Sequence, residues 1–115
     1  MPELRFTRWD VVKVPFPFTE GIGEKRRPAL IVSSKSLVSK HKLYWLVMIT
    51  SILNPAWNGD VEIKNLEAAG LSSRSVVRTA KITTLQEDRI LGCVGHLASG
   101  EARLVAAALK QWLAD

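Results

Sequence analysis

The sequence predicts a mainly β domain: a small, strongly bent sheet or barrel of short, mostly antiparallel strands, with an amphipathic helix packed on it. Two patterns indicate this class. Short runs rich in β-branched and aromatic residues alternate with turn residues along most of the chain, and a helical periodicity occupies its C-terminal end. Because 115 residues suit one hydrophobic core, we expect a single domain over residues 1–115, in which residues 1–8 form a short lead-in.

The first half of the chain predicts three strands. Asp10–Phe16 is rich in β-branched residues and ends where prolines lack the N–H that a ladder needs. Phe16–Arg27 holds Pro, Gly and mixed charges without periodicity, which is typical of a surface loop. Pro28–Ser33 is short and almost entirely apolar, as in a buried strand. The polar segment Ser34–Lys42 suits a helical turn, and Leu43–Thr50 predicts an aromatic-rich strand.

The second half predicts further strands around a brief helical turn. Asp60–Lys64 alternates apolar and charged residues, as in a half-exposed strand. Asn65–Gly70 has a capping residue at its start and a glycine stop at its end, which suits one helical turn. Ser75–Leu85 predicts one or two strands broken near Ala80, and Ile90–Leu97 predicts another strand, loosened by its glycines.

The segment Ser99–Ala114 predicts an amphipathic helix. Its apolar side chains recur with the spacing i, i+1, i+4 and i+5, at Leu104, Val105, Ala108, Leu109, Trp112 and Leu113. We expect Trp112 and Leu113 to contact the core or a second subunit.

The positive charge of the chain is concentrated in its first two-thirds. The net charge is +5, with 13 Lys/Arg and 7 Asp/Glu in residues 1–81 but 3 and 4 in residues 82–115. The cationic run Lys25–Arg27 stands directly before a buried strand, where adjacent cations cost stability unless water or an anionic partner surrounds them. Such a surface suits a nucleic acid, whose phosphates release counterions on binding. A ribosome, a membrane surface or an acidic protein would also fit.

The cysteine count, the lack of clustered metal ligands and the length of the apolar runs argue against an internal disulfide, a metal site and a membrane span. The single Cys93 has no partner for an internal disulfide and no signal-peptide pattern is evident, so we expect a cytoplasmic protein. The apolar context of Cys93 predicts a small core residue, and His41 and His96 are expected to be structural or incidental. No cluster of metal ligands is evident, so we expect neither a metal nor another cofactor. The apolar run Leu43–Thr50 is too short to span a membrane.

An ordered set of motifs runs through most of the chain. Its members are Asp10–Thr19, Lys25–Ser33, Thr50–Ser51, Ser75–Arg78, Lys81–Leu85 and Ile90–Gly95. Together with the terminal helix, this set resembles the MazF/PemK (Kid) toxins of type II toxin–antitoxin modules over residues 10–113. The resemblance implies an SH3-like barrel, a homodimer, and a metal-independent endoribonuclease that cleaves single-stranded RNA at a short sequence and is blocked by a cognate antitoxin. Messenger RNA is the expected substrate, with tRNA and rRNA as alternatives.

The resemblance assigns the two central roles to residues that match. Arg27 matches the family's catalytic arginine, Thr50 its catalytic threonine, and the Pro17–Lys25 loop a mobile loop that shapes the RNA groove. These residue types suit cleavage by the neighbouring 2′-hydroxyl, because a fixed cation and a hydroxyl donor stabilise the charge that grows on the phosphate. The expected products carry 2′,3′-cyclic phosphate and 5′-hydroxyl ends.

Two further residues match family positions that hold or stabilise the scissile phosphate. These are Ser51 and Arg78, and each has an alternative interpretation. Ser51 can cap a turn, and Arg78 can form an ion pair with Asp60 or Glu62.

Other RNA contacts are expected around these residues. Lys25 and Arg26 are expected to attract the RNA backbone, and Lys81 to contact a phosphate. Trp57 lies in a stretch of turn residues, where it is expected to stack on a base, to pack in a dimer interface or to join the core.

The general base is not assigned by the resemblance. Some members of the family place an acidic residue two positions after the arginine matched by Arg78, but Ala80 occupies that position here. Glu20 and Glu24, in the loop after the first strand, are candidates for the base. Otherwise catalysis would depend on electrostatic stabilisation and on placing the hydroxyl in line.

Two other functions fit the same barrel. A CcdB-like toxin that inhibits gyrase would use a C-terminal contact motif such as Gln111–Asp115, although the presence of Arg27 and Thr50 counts against it. A barrel that binds RNA or antitoxin without cleaving is favoured by Ala80.

Overall fold

The computed structural model describes residues 4–16 and 25–114. Its strands are Asp10–Phe16 (β1), Lys25–Ile31 (β2), Leu43–Ser51 (β3), Asp60–Ile63 (β4), Ser75–Gln86 (β5) and Gly92–His96 (β6). Its helices are Lys35–His41 (α1), Leu66–Ala69 (α2) and Ser99–Leu113 (α3), with a 3-10 turn at Glu87–Arg89. The strands form one antiparallel sheet in the order β4-β5-β3-β2-β1-β6, which curls into a half-barrel. The predicted fold class is confirmed.

Each face of the sheet has its own core, because side chains alternate along every strand. On β3, Val47 belongs to the core that α3 closes with Val105. Met48 belongs to the opposite core, which the N-terminal lead-in closes with Phe6 and α1 closes with Val38. We call the second side of the sheet the lead-in face.

β2 begins at Lys25, three residues before the strand start that the sequence predicts at Pro28. Its first residues pair with β1, Lys25 opposite Phe16 and Arg27 opposite Val14. Backbone pairing therefore carries the strand through the cationic run, whose three side chains stay exposed. The prediction placed this run in a loop because it lacks the apolar residues that mark a strand.

β5 is a single strand, and the break predicted near Ala80 is a bulge within it. On the partner strand β3, Val47 pairs with Ile82 whereas the next residue, Met48, pairs with Arg78. The three residues between Arg78 and Ile82 therefore have no partner on β3, and they twist the strand locally.

The C-terminal helix buries less of its apolar stripe than the periodicity predicts. Ala102 and Val105 are buried, whereas Leu104, Trp112 and Leu113 are 59%, 47% and 79% exposed. The expectation that Cys93 is a core residue is wrong, because the thiol lies exposed on the edge strand β6. Within the residues that the structure describes, no helix combines the length and the apolarity needed to cross a membrane.

Candidate functional site

Arg27 and Thr50 each lie two residues beyond the end of the β2–β3 ladder. The last residue pair of that ladder joins Ala29 to Met48. Continued by two residues, the same register sets Arg27 opposite Thr50. Both residues then lie on the lead-in face, since positions two apart in a strand point the same way. The Arg27 side chain is exposed and Thr50 is half-buried, so a ligand on this face would reach both.

The hydroxyl of Thr50 is oriented by the turn that follows β3. Asn54 donates from Nδ2 to Thr50 Oγ1 over 2.6 Å, and the Asn54 N–H bonds to the carbonyl oxygen of Ser51 over 3.1 Å. The Thr50 oxygen therefore acts as an acceptor, and its own O–H meets no acceptor among the described residues. A hydroxyl held this way can donate to a phosphate oxygen.

Ser51 and Arg26 lie on the other face of the sheet from the Arg27–Thr50 pair, because adjacent residues in a strand alternate. Ser51 Oγ also accepts a hydrogen bond of 3.1 Å from the N–H of Leu53, which supports the turn interpretation. Lys25 lies two residues before Arg27 and shares its face. The structure therefore brings Lys25, but neither Arg26 nor Ser51, to the same side as the central pair.

Arg78 is buried and holds the loop between β3 and β4. Its Nε and Nη2 atoms donate to the two carboxylate oxygens of Asp60 over 3.2 and 2.9 Å, and Nη2 also donates to the carbonyl oxygen of Pro55 over 2.8 Å. Its guanidinium lies 4.4 Å from the centre of the Trp57 ring. Of the two ion pairs considered for Arg78, the one with Asp60 is observed. The phosphate contact expected of Arg78 stays a prediction, with two of its three nitrogens already engaged.

Trp57 is 46% exposed and stacks on Arg78. Its backbone N–H donates to Asp60 Oδ2 over 2.9 Å, which closes a turn that includes Gly59 at φ 90°. Only glycine suits this position, because a Cβ there would also lie 2.6 Å from Cζ2 of Trp112. The indole of Trp57 therefore belongs to a braced loop, with part of its surface open to solvent.

Thr79, in the β5 bulge, ties this loop to the terminal helix. Its hydroxyl donates to the carbonyl oxygen of Gly59 over 2.7 Å and accepts from Nε1 of Trp112 over 3.0 Å. The sequence analysis did not identify Asn54 as the partner of the Thr50 hydroxyl or Thr79 as the link between the loop and the helix. The position of Asn54, four residues after Thr50, could have indicated its role, whereas nothing in the sequence marks a buried threonine in a strand.

The remaining predicted residues are placed only in part. Lys81 and Ala80 are exposed in the β5 bulge. Glu20, Glu24 and most of the Pro17–Lys25 loop lie outside the described residues, so the base and the loop stay predictions.

An apolar groove lies between α1, the β5 bulge and α3. Its volume is about 1080 Å³, and its walls include the exposed side chains of Trp45, Ile82, Trp112 and Leu113. Ala80 lines it, but Arg27 and Thr50 do not. This groove is therefore separate from the pair that the resemblance marks as catalytic.

The family model described as "PemK-like, MazF-like toxin of type II toxin-antitoxin system" matches residues 7–113. No curated protein shows significant sequence similarity to the chain.

Solved toxin structures share the fold. The Mycobacterium tuberculosis toxin MazF-mt6 has a TM-score of 0.71 at 17% identity, over 90% of this chain and 95% of its own. A MazE–MazF structure from Deinococcus radiodurans has a TM-score of 0.71 at 21% identity, over 96% and 97%. An endoribonuclease in complex with its cognate antitoxin, from a mycobacterial species, has a TM-score of 0.71 at 20% identity, over 93% of each chain. At these identities the likeness establishes the fold.

Proposed function

Since the chain belongs to the PemK-like, MazF-like family of type II toxin–antitoxin toxins, we propose that it is a cytoplasmic endoribonuclease that cleaves single-stranded RNA, with mRNA as its main substrate. One observation carries the proposal: β2 pairs with β3 up to Ala29 and Met48, and the same register continued by two residues would set the exposed Arg27 opposite the hydroxyl of Thr50 on one face of the sheet. A permanent cation beside a hydroxyl donor suits the charge that develops on a phosphate under attack.

The proposed reaction begins with attack of the ribose 2′-hydroxyl on the adjacent phosphorus. Negative charge grows on the non-bridging oxygens, where the planar fork of Arg27 donates and the Thr50 O–H adds a second donor. Asn54 positions that hydroxyl by occupying one of its lone pairs. Lys25, on the same face, attracts the RNA backbone. The bond between phosphorus and the 5′-oxygen breaks, the 5′-oxygen takes up a proton from water and leaves as a hydroxyl, and the phosphate remains as a 2′,3′-cyclic ester.

Other residues of the proposed site play supporting roles. Arg78 and Asp60 hold the loop that carries Asn54, so their effect on cleavage is exerted through Thr50. Glu20 or Glu24 is proposed to accept the 2′-hydroxyl proton, and Lys81 to contact a flanking phosphate.

The test is cleavage of a long RNA in the presence of EDTA, followed by analysis of the fragment ends. We expect discrete fragments with cyclic-phosphate and 5′-hydroxyl ends, because none of the proposed steps uses a metal. The Arg27→Ala protein, prepared in the same way, controls for contaminating nuclease. RNA that binds but stays intact would favour an inactive binding barrel, and intact RNA together with inhibited gyrase would favour the CcdB-like alternative.

A cognate antitoxin is the proposed inhibitor. The support is the fold shared with an endoribonuclease solved in complex with its cognate antitoxin. We expect an equimolar amount of the cognate antitoxin to stop cleavage, and persistent cleavage by the saturated complex would contradict this part of the proposal.

A homodimer is proposed to form through the apolar groove. Exposed tryptophan and aliphatic side chains on a concave surface are typical of an interface. Leu113 lines the groove and is 79% exposed, so Leu113→Glu should give a folded monomer in sedimentation analysis. Leu53→Glu is a matched control, since Leu53 is 91% exposed and does not line the groove. A Leu113→Glu protein that stays dimeric would place the interface elsewhere.

A further inference from the structure

Three side chains that can ligate a metal meet where β1 pairs with β6, away from the proposed ribonuclease site. They are the carboxylate of Asp10, the thiol of Cys93 and the imidazole of His96, and one ligand atom from each lies within 4.8 Å of the others. Within the described residues this is the one such group. Neither Arg27 nor Thr50 belongs to it.

A bulge in the β1–β6 ladder creates this cluster. Asp10 pairs with His96 and Val12 with Cys93, with a register shift between Val11 and Val12. In a regular strand Cys93 and His96, three positions apart, would point to opposite faces. The extra residue on β6 restores the phase, so both side chains point to the side where Asp10 lies.

The cluster contains a buried carboxylate oxygen without a hydrogen bond. Asp10 is 5% exposed, and its Oδ2 accepts from the N–H of Thr7 over 2.9 Å. Its Oδ1 has no hydrogen-bond partner, although Nδ1 of His96 lies only 2.7 Å away. The contact has the distance of an ion pair, which forms only if the imidazole is protonated, and it does not count as a hydrogen bond. A cation ligated by both atoms would instead satisfy the buried Asp10 oxygen.

The cluster is open to solvent on one side. Cys93 and His96 are both exposed, so an ion can enter from solvent.

We propose that Asp10, Cys93 and His96 form a binding site for a divalent transition-metal ion of the zinc type. One sulfur, one imidazole nitrogen and one carboxylate oxygen are a ligand set that zinc accepts, with water as the fourth ligand. Modest side-chain movement would bring the three atoms to the usual metal–ligand distances of about 2.0–2.3 Å. The bound ion would fasten the edge strand β6 to β1, which sequence reasoning could not foresee because residue 10 is remote from residues 93 and 96.

The site can be tested with Co²⁺, which reports its ligands by absorption. Metal-free, reduced wild-type protein is titrated with Co²⁺ alone and then with Zn²⁺ as a competitor. We expect a thiolate-to-cobalt charge-transfer band and the visible bands of a four-coordinate ion, saturating at one ion per chain and abolished by Zn²⁺. Zinc should also raise the thermal unfolding midpoint, because the ion binds only the folded chain.

Variants of the two exposed ligands decide whether the site is specific. Cys93→Ser should lose the charge-transfer band, and His96→Ala should weaken Co²⁺ binding by more than about tenfold, since even an outer-shell partner costs about 10–100-fold. His41→Ala, which removes the other histidine of the chain, is the matched control and should bind like wild type. Asp10 is buried and supports the lead-in, so its variants are not used.

Two results would overturn the assignment. One is the absence of a thiolate band in wild-type protein at saturating Co²⁺. The other is unchanged Co²⁺ affinity in both the Cys93→Ser and the His96→Ala proteins, which would mark the binding as adventitious.

Discussion

Removal of the Asp60 carboxylate should lower the free energy of unfolding far more than removal of a surface charge would. The carboxylate accepts two hydrogen bonds from Arg78 and one from the N–H of Trp57. The side chains of the pair are only 9% and 10% exposed. In Asp60→Ala, the guanidinium would stay buried with the Pro55 carbonyl oxygen and the Trp57 ring as its remaining contacts.

The expected magnitude follows from burial. Breaking a buried ion pair by removing one partner costs about 3–5 kcal/mol, because an uncompensated charge remains inside. With an unfolding entropy of about 2.1 cal/mol/K per residue, each kcal/mol lowers the midpoint of a domain of this size by about 4 °C. Asp60→Ala should therefore lower the unfolding midpoint by about 12–20 °C.

The assay is a double-mutant cycle in urea and by calorimetry, with Asp60→Ala, Arg78→Met and the double variant. We expect the double variant to lose less stability than the two single variants lose together, since Met fills the space of Arg78 without leaving a buried charge. A loss below about 1 kcal/mol for Asp60→Ala, the range of exposed pairs, would refute the reasoning. So would additivity in the cycle, and Arg78 would then be available for phosphate.

Four further outcomes are expected from the same structure. Burial and Glu87 raise the pKa of Tyr44, the one tyrosine of the chain, to about 12. The neutral phenol therefore stabilises the fold below pH 10, and this contribution is lost as the pH rises from 10 to 12. An absorbance titration of the folded protein with a midpoint at pH 10 would contradict the raised pKa. Thr50→Val should fold normally and cleave at least about tenfold more slowly, so unchanged single-turnover rates would remove Thr50 from the site. Asn54→Asp should slow cleavage more than Asn54→Ala, because the carboxylate would accept a hydrogen bond from the Thr50 hydroxyl and repel the phosphate. Equal cleavage rates for the two variants would show that the 2.6 Å contact does not orient the hydroxyl. Arg26→Ala should lower the salt dependence of binding to an RNA analogue without 2′-hydroxyls by about 0.7 in the logarithmic slope, and an unchanged slope would exclude a backbone contact.

The fold was largely predictable because its signals are local. The β-branched run of β1, the aromatic run of β3 and the stripe of α3 each mark an element. The start of β2 was missed because Lys25–Arg27 enters the sheet through backbone pairing to β1, which the residue types do not reveal. The exposure of Cys93 was missed because an apolar context does not distinguish an edge strand from a central one.

The site was predictable only in its central residues. The resemblance named Arg27 and Thr50, and the strand register, continued by two residues beyond Ala29 and Met48, would set them opposite each other. The partner that orients Thr50 and the ion pair that anchors the following loop depend on side-chain geometry, which the sequence leaves open. For Arg78, the pattern allowed both a phosphate contact and an ion pair; the ion pair with Asp60 is observed, and the phosphate contact stays a prediction.

The most direct test of the central claim is the single-turnover cleavage rate of Arg27→Ala compared with Arg26→Ala. Both substitutions remove one exposed cation from the same strand, but only Arg27 shares a face with Thr50. We predict a loss of at least about 100-fold for Arg27→Ala, as for removal of one preorganised donor, with an unchanged unfolding midpoint. Arg26→Ala should weaken binding but keep the rate at saturating protein. Equal rates at saturation for the two variants would contradict a catalytic role for Arg27.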